Sequence, residues 1–176
     1  MSGHNKWSKI KNKKGAEDAK KSQKFSKLSK LITAESKRAG GNVTSPSLAA
    51  VIEMAKKENM PKDTIERAVK KGTESGTANM EKIFYETYGP GGSAIIIEGL
   101  TDNKNRTAAE VRHILSKDGY ELAQPGAASW AFGKENGTWV AKTTIDLSDE
   151  DLAALAKIVD ELEALEDVQE VFTNAE

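Results

Sequence analysis

Apolar side chains recur every three to four residues up to residue 72 and fall into short strand-like runs after residue 79. A helix-period segment and a strand-period segment belong to different layers of a fold. The chain is therefore constrained to a helical part followed by a mixed part. Thr73-Glu74-Ser75-Gly76-Thr77-Ala78-Asn79 between them reads as a linker. We expect residues 1–75 to form a basic helical domain with an N-terminal arm, and residues 80–176 to form an acidic α+β domain.

Charge changes at the same place. Residues 1–72 hold 18 Lys and Arg against 7 Asp and Glu, a balance of +11. The remaining residues hold 8 against 20, a balance of −12, so the net charge of −1 conceals two opposite surfaces. One attracts polyanions and the other repels them. The chain has no cysteine. That removes disulfides, thiolate metal sites and cysteine nucleophiles, and suits a reducing cytoplasm. No run approaches the roughly 20 apolar residues of a membrane span. The opening residues have no apolar stretch behind their charges, so they read as no signal peptide.

In the first part, residues 1–14 carry Lys6, Lys9, Lys11, Lys13 and Lys14, with Trp7 and Ile10 as large apolar residues. We read an extended or loosely ordered arm. A helix is expected from Ala16, with Glu17 and Asp18 in its first turn facing the positive end of the macrodipole. Phe25, Leu28, Leu31 and Ile32 form its apolar stripe and Gly40-Gly41-Asn42 ends it. A second helix runs from Pro46 to Glu58 with Leu48, Val51, Ile52 and Ala55 inward. A third begins at Pro61, with Ile65, Ala68 and Val69 inward, and ends before Gly72. The three make a bundle.

In the second part, Lys82–Tyr88 reads as a strand, Gly89-Pro90-Gly91-Gly92 as a structural turn, and Ser93–Leu100 as a central strand buried on both faces. A helix over 105–117 has Ala108, Val111, Ile114 and Leu115 inward. Segments 128–132 and 138–142 suggest a hairpin turning at Glu135-Asn136-Gly137. Ser148 and Asp151 start a further helix carrying Leu152, Leu155, Val159, Leu162 and Leu165. Residues 168–173 form a last strand. The order ββαββαβ implies an α+β sandwich, with one mainly antiparallel sheet and helices on one face.

The basic N-terminal region is the main candidate site. Residues 1–30 hold ten lysines and two acids. Lys6, Lys9, Lys11, Lys13, Lys14, Lys20, Lys21, Lys24 and Lys27 are expected to bind phosphate backbones, chiefly by releasing condensed counterions. The competing reading is a solvated face, but such faces usually mix both signs. Trp7 among them could stack on an unpaired base or staple the arm to the helical bundle; we favour the staple. Arg106, Arg112, His113 and Lys117 give a later helix a mild basic face. It is either a second RNA contact or a solvated face behind a cap supplied by Asp102 or Asn103.

Enzyme chemistry finds no constellation. His4 and His113 are far apart in sequence. Glu110 and His113 have the spacing of half a carboxylate-bridged metal site, and the second half is missing. The turn at Gly89–Gly92 lacks the lysine and the strand-to-helix setting of a phosphate loop. No serine elbow or dinucleotide fingerprint occurs. We expect no cofactor, no metal and no catalysis. The partner would be nucleic acid, with rRNA, tRNA or the ribosome favoured and DNA the alternative. A protein partner on the acidic domain is a further expectation. Sequence-specific DNA readout is the weaker alternative because the basic half offers only Arg38 and Arg67 beside its lysines, and lysine positions on phosphate more readily than it reads bases.

Several strings have a familiar form. Ser2-Gly3-His4-Asn5-Lys6-Trp7-Ser8-Lys9-Ile10 is one, and Asn59-Met60-Pro61-Lys62-Asp63-Thr64-Ile65-Glu66-Arg67-Ala68 is another. Tyr85-Glu86-Thr87-Tyr88-Gly89-Pro90-Gly91-Gly92 and Leu100-Thr101-Asp102-Asn103-Lys104-Asn105-Arg106-Thr107 follow, the latter running on through Glu110-Val111-Arg112-His113. The ending Leu162–Asn174 completes the set. Together they resemble the YebC/PmpR family. That resemblance implies a helical N-terminal domain followed by α+β domains in a cytoplasmic protein. It also implies a regulator of gene expression. Members are described as DNA-binding transcriptional regulators, and others as ribosome-associated factors that help proline runs through synthesis. Mitochondrial relatives activate translation of cytochrome oxidase subunit I. The chain departs from the family in one respect. Members usually carry a further α+β domain after the region matching Trp139–Lys142, whereas here Thr143-Thr144-Ile145-Asp146-Leu147 leads directly into the final helix.

Overall fold

The computed structural model describes residues 6–11 and 17–176. It divides into two units. One is Gly15–Glu81, and the other joins the N-terminal segment through residue 14 to Lys82–Glu176.

The helical unit contains α2 (Glu17–Ala39), α3 (Pro46–Lys57) and α4 (Lys62–Thr73). Leu28 and Ile32 of α2 meet Leu48, Val51 and Ala55 of α3 and Ile65 and Ala68 of α4 in one apolar core. Each fully buried aliphatic side chain of this kind contributes about 1.5–3 kcal/mol. Buried positions on α2 begin only at Leu28, and the described side chains before it are exposed or half-buried. Of the first eleven residues of that helix, Phe25 packs against this core, and the rest are continued from the packed half that follows.

Gly72 does not stop α4 as the sequence suggested; it lies buried inside the helix. A Cβ there would sit 2.6 Å from both Ser36 Cβ and the Thr33 carbonyl oxygen. Glycine is required for close approach to α2. Around it, Ser36 donates to the Val69 carbonyl at 2.6 Å and Thr33 to that of Ala68 at 3.2 Å.

The α+β unit contains α1 (Lys6–Lys11), β1 (Glu81–Tyr88), β2 (Ala94–Thr101), α5 (Lys104–Lys117), β3 (Phe132–Glu135), β4 (Thr138–Ala141), α6 (Asp149–Glu163) and β5 (Val168–Thr173). The order ββαββαβ is as expected. The strands form two sheets instead of one: β1-β2-β5 and the hairpin β3-β4. Strands β2 and β5 pair antiparallel, as do β3 and β4. The short connection from β1 to β2 requires the same sense there. Alternation along β2 sends Ile95 and Ile97 toward α5 and α6, and Ala94 and Ile96 toward Ala131 and Phe132. The central strand is accordingly apolar on both faces.

Two further expectations change. The segment from residue 6 to residue 11 is a helix, not an extended arm. Trp7 and Ile10, three residues apart on one face, pack against the core of the α+β unit. Lys11 pairs with Glu163 at 3.0 Å and Lys6 with Asp146 at 3.5 Å. Trp7 is a staple, but to this core and not to the helical bundle. The first hairpin strand also begins later than expected: Ser129–Ala131 form a 3-10 turn, and β3 starts at Phe132. The reason is Glu86. Its carboxylate takes the backbone N–H groups of Gly126, Ala128 and Ser129, which are then not free for a ladder.

Candidate nucleic-acid interface

The lysines singled out above fall into both units. Lys6, Lys9 and Lys11 lie exposed on α1, with Lys6 and Lys11 engaged by carboxylates and Lys11 also 5.9 Å from the Trp7 ring centre. Lys13 and Lys14 lie outside the described residues, as does His4.

Lys20, Lys24 and Lys27 follow one another at i, i+4 and i+7 along α2 and share a face, with Lys21 beside them. Lys20, Lys21 and Lys24 are exposed and Lys27 is half-buried. Lys24 reaches Glu58 at 2.7 Å, and Lys21 lies 5.7 Å from the ring centre of Phe25. No acidic residue occurs between Asp18 and Glu35. From Lys20 to Lys27 the axis advances roughly 10 Å, about six phosphate charges of duplex. A helix segment this polar owes its form to the packed turns that follow, and Lys20, Lys21 and Lys24 remain turned to solvent.

The face proposed on α5 divides. Asn103 caps that helix, its side-chain oxygen accepting from the Arg106 N–H at 3.1 Å. Arg106 donates to Asp102 at 2.8 Å and to the buried Asp167 at 2.7 Å. The hydroxyls of Thr101 and Thr107 donate to the same Asp167 oxygen, at 3.1 and 2.7 Å. Hydrogen bonding to Asp167, reinforced by Asp102, drives the guanidinium pKa upward, so it stays charged. Arg106 is therefore committed to a structural ion cluster. Lys117 pairs with Glu161, whereas Arg112 and His113 are exposed.

Pro90–Gly92 forms a 3-10 turn between β1 and β2. Gly91 has φ 64°, and a Cβ on it would lie 2.4 Å from Leu147. Both constraints call for glycine, and no helix N-terminus opens here to cradle a phosphate.

Glu86 was not singled out from the sequence. It is 3% exposed. Burial opposes its ionisation. The backbone N–H groups of Gly126, Ala128 and Ser129 outweigh that and hold its pKa below the ordinary carboxylate value. The clasped loop presents Trp130, 60% exposed, whose indole donates to the Tyr88 hydroxyl at 2.7 Å. That hydroxyl donates in turn to the Ala127 carbonyl. Beyond the loop Phe84 stands 5.5 Å from Trp139, and Lys134 lies over the Trp139 ring. A buried carboxylate beside a loop of free N–H groups leaves no local sequence signal, because the partners are 40 or more residues away.

Among the described residues, no group of three or more His, Cys, Asp or Glu is placed to hold a metal ion. No described helix is long and apolar enough to cross a membrane.

The chain thus consists of a lysine-rich three-helix unit and an acidic α+β unit in which Glu86 and Asp167 anchor buried polar clusters. Comparison with known proteins makes this specific. Residues 5–75 match the TACO1/YebC protein N-terminal domain, and residues 80–136 and 133–175 match the TACO1/YebC second and third domain. The chain belongs to the TACO1/YebC family. It is 51% identical over 152 residues to a probable transcriptional regulatory protein of Fervidobacterium nodosum, covering 85% of this chain and 60% of that one. A protein of the same description from Desulfatibacillum aliphaticivorans is 49% identical over 98% of this chain and 71% of its own length. One from Petrotoga mobilis is 47% identical over 100% and 71%. The chain thus spans only 60–71% of these relatives' lengths. The crystal structure of a conserved hypothetical protein, Aq1575, from Aquifex aeolicus superposes with TM-score 0.78 at 30% identity, covering 95% of each chain.

The two second-and-third-domain matches meet at residues 133–136, in the β3-β4 hairpin. From the end of β4 the chain passes through seven residues into α6, with no further α+β domain between them.

Proposed function

We propose that this regulator of gene expression acts without catalysis, in the cytoplasm, by binding RNA of the translation machinery. The observation that carries the reading is the lysine row of α2, exposed Lys20, Lys21 and Lys24 and half-buried Lys27, on a helix with no acid between Asp18 and Glu35. Lysine is a strongly hydrated point charge that engages phosphate without discriminating among bases. A helix presenting lysine alone grips a backbone, which suits folded RNA recognised by shape. Lys9, Arg112 and His113 supply secondary contacts from the other unit. DNA binding is the second reading, supported by the regulatory names of the relatives. It requires base-reading side chains that the lysine row lacks.

The test is the salt dependence of binding to a fluorescent RNA hairpin and to a matched DNA duplex. Changing Lys20, Lys21, Lys24 and Lys27 together to Gln is expected to reduce the slope of log K against log salt by about 3. Affinity for RNA at 0.1 M salt should fall by at least tenfold. An unchanged slope would remove α2 from the interface, and preference for one DNA sequence would replace RNA by DNA.

A further inference from the structure

In the helical unit, α2 packs against both α3 and α4, while those two touch only briefly. The divergence opens a groove of about 620 Å³. Its floor is aliphatic: Ile52 from α3, Met60 from the connection, and Ile65 and Val69 from α4. Val43, 52% exposed, forms one lip. Lys56, Lys62 and Lys70 stand on the rim with Glu66.

The groove is elongated. Lys62, Glu66, Val69, Lys70 and Thr73 line it from one end of α4 to the other, an advance of roughly 16 Å or three helical turns. Its volume is within the roughly 300–1,000 Å³ of binding clefts, and its lining is apolar in the manner of such clefts. No aromatic residue lines it, so it offers no surface on which a base could stack. The chemistry suited to it is a row of aliphatic side chains at helical spacing.

The rim selects the charge of that occupant. Three lysines face one acid. Glu66 already pairs with Lys62 at 3.6 Å and Lys56 with Glu53 at 2.7 Å, both between exposed groups. Exposed pairs of this kind are worth about 0–1 kcal/mol and exchange partners readily. An incoming carboxylate can therefore take Lys56 or Lys62 from its present partner and meet Lys70 directly.

We propose that the groove between α3 and α4 docks an acidic amphipathic helix of a partner protein. Its aliphatic face would lie on Ile52, Ile65 and Val69, and its carboxylates would face Lys56, Lys62 and Lys70. This protein contact is separate from the lysine row of α2 and does not depend on it.

The experiment titrates the full chain into a fluorescein-labelled fourteen-residue peptide with Leu at i, i+4, i+7 and i+11 and Glu flanking them, read by anisotropy. One control replaces Glu by Lys and another replaces Leu by Ser. The acidic Leu peptide is expected to bind saturably and at least tenfold tighter than either control. Val69→Asp should weaken it at least tenfold. The combined variant Lys56→Glu, Lys62→Glu, Lys70→Glu changes only exposed residues. It should reverse the preference toward the basic peptide, with the circular dichroism spectrum unchanged. Absence of saturable binding, equal binding of the acidic and basic peptides, or an unaltered preference in the triple variant would overturn the proposal. So would competitive displacement of the peptide by an RNA hairpin that loses affinity in the triple variant, since the rim would then be a phosphate site.

Discussion

Glu86 organises backbone from a buried position in the α+β unit. Its carboxylate satisfies three N–H groups of the loop that carries Trp130. Replacing it by Gln sets an NH2 donor among donors and should cost about 2–3 kcal/mol, measured by urea unfolding at pH 7. The pH dependence follows from the lowered pKa. The charged form contributes its full stabilisation above the unfolded value, near about pH 4.3, and loses it as pH falls through the lower folded pKa. The gap between wild type and Glu86→Gln should therefore be widest above about pH 5 and narrow in acid. A gap independent of pH would show that the carboxylate's charge is not what holds the loop. Gly72 makes a second prediction at this scale. Alanine is normally the better helix former by about 1 kcal/mol. Here its Cβ meets the Thr33 carbonyl and Ser36, so Gly72→Ala should instead destabilise by about 1–3 kcal/mol. A raised melting temperature would show that α2 and α4 part without cost.

At the scale of elements, α1 depends on its packing. Six residues cannot hold a helix alone, and Trp7 and Ile10 attach this one to the α+β core. Trp7→Ala should release Lys6–Lys11 to amide exchange at the rate of an unstructured peptide, while the core strands stay protected. Retained protection would mean that the Lys6–Asp146 and Lys11–Glu163 pairs suffice. The longer helices and the central strand were legible in the sequence because periodicity, proline, glycine and capping residues act locally. Pro46, the Ser148–Asp151 cap and the Ile95–Ile97 run are of this kind. What escaped was decided at a distance. Gly72 looks like a terminator until α2 is placed against it. Residues 128–131 look like a strand until Glu86 claims the N–H groups of Ala128 and Ser129. In the candidate site, the lysine row of α2 was visible as composition, whereas the burial of Arg106's partner Asp167 was not.

For the whole molecule, the sequence halves carry +11 and −12, but the two units carry only +4 and −5, because the lysines of residues 1–14 belong with the acidic unit and Glu74 and Glu81 with the basic one. The chain spans only 60–71% of its relatives' lengths, yet β1-β2-β5 is covered on both faces, by α5 and α6 on one and by the β3-β4 hairpin on the other. The lysine row and the α3–α4 groove also lie wholly within the helical unit. Activities of the longer relatives that need only this unit are thus the ones proposed for this chain. The decisive measurement is co-sedimentation with ribosomes on sucrose gradients at about 0.15 M salt, where charges screen over about 8 Å. Excess duplex DNA is present, and wild type is compared with the variant carrying Gln at Lys20, Lys21, Lys24 and Lys27. The account predicts that wild type travels with ribosomes despite the DNA and that the variant stays at the top of the gradient. Removal of wild type by DNA, most effectively by one sequence, would contradict it and place the protein on the genome instead.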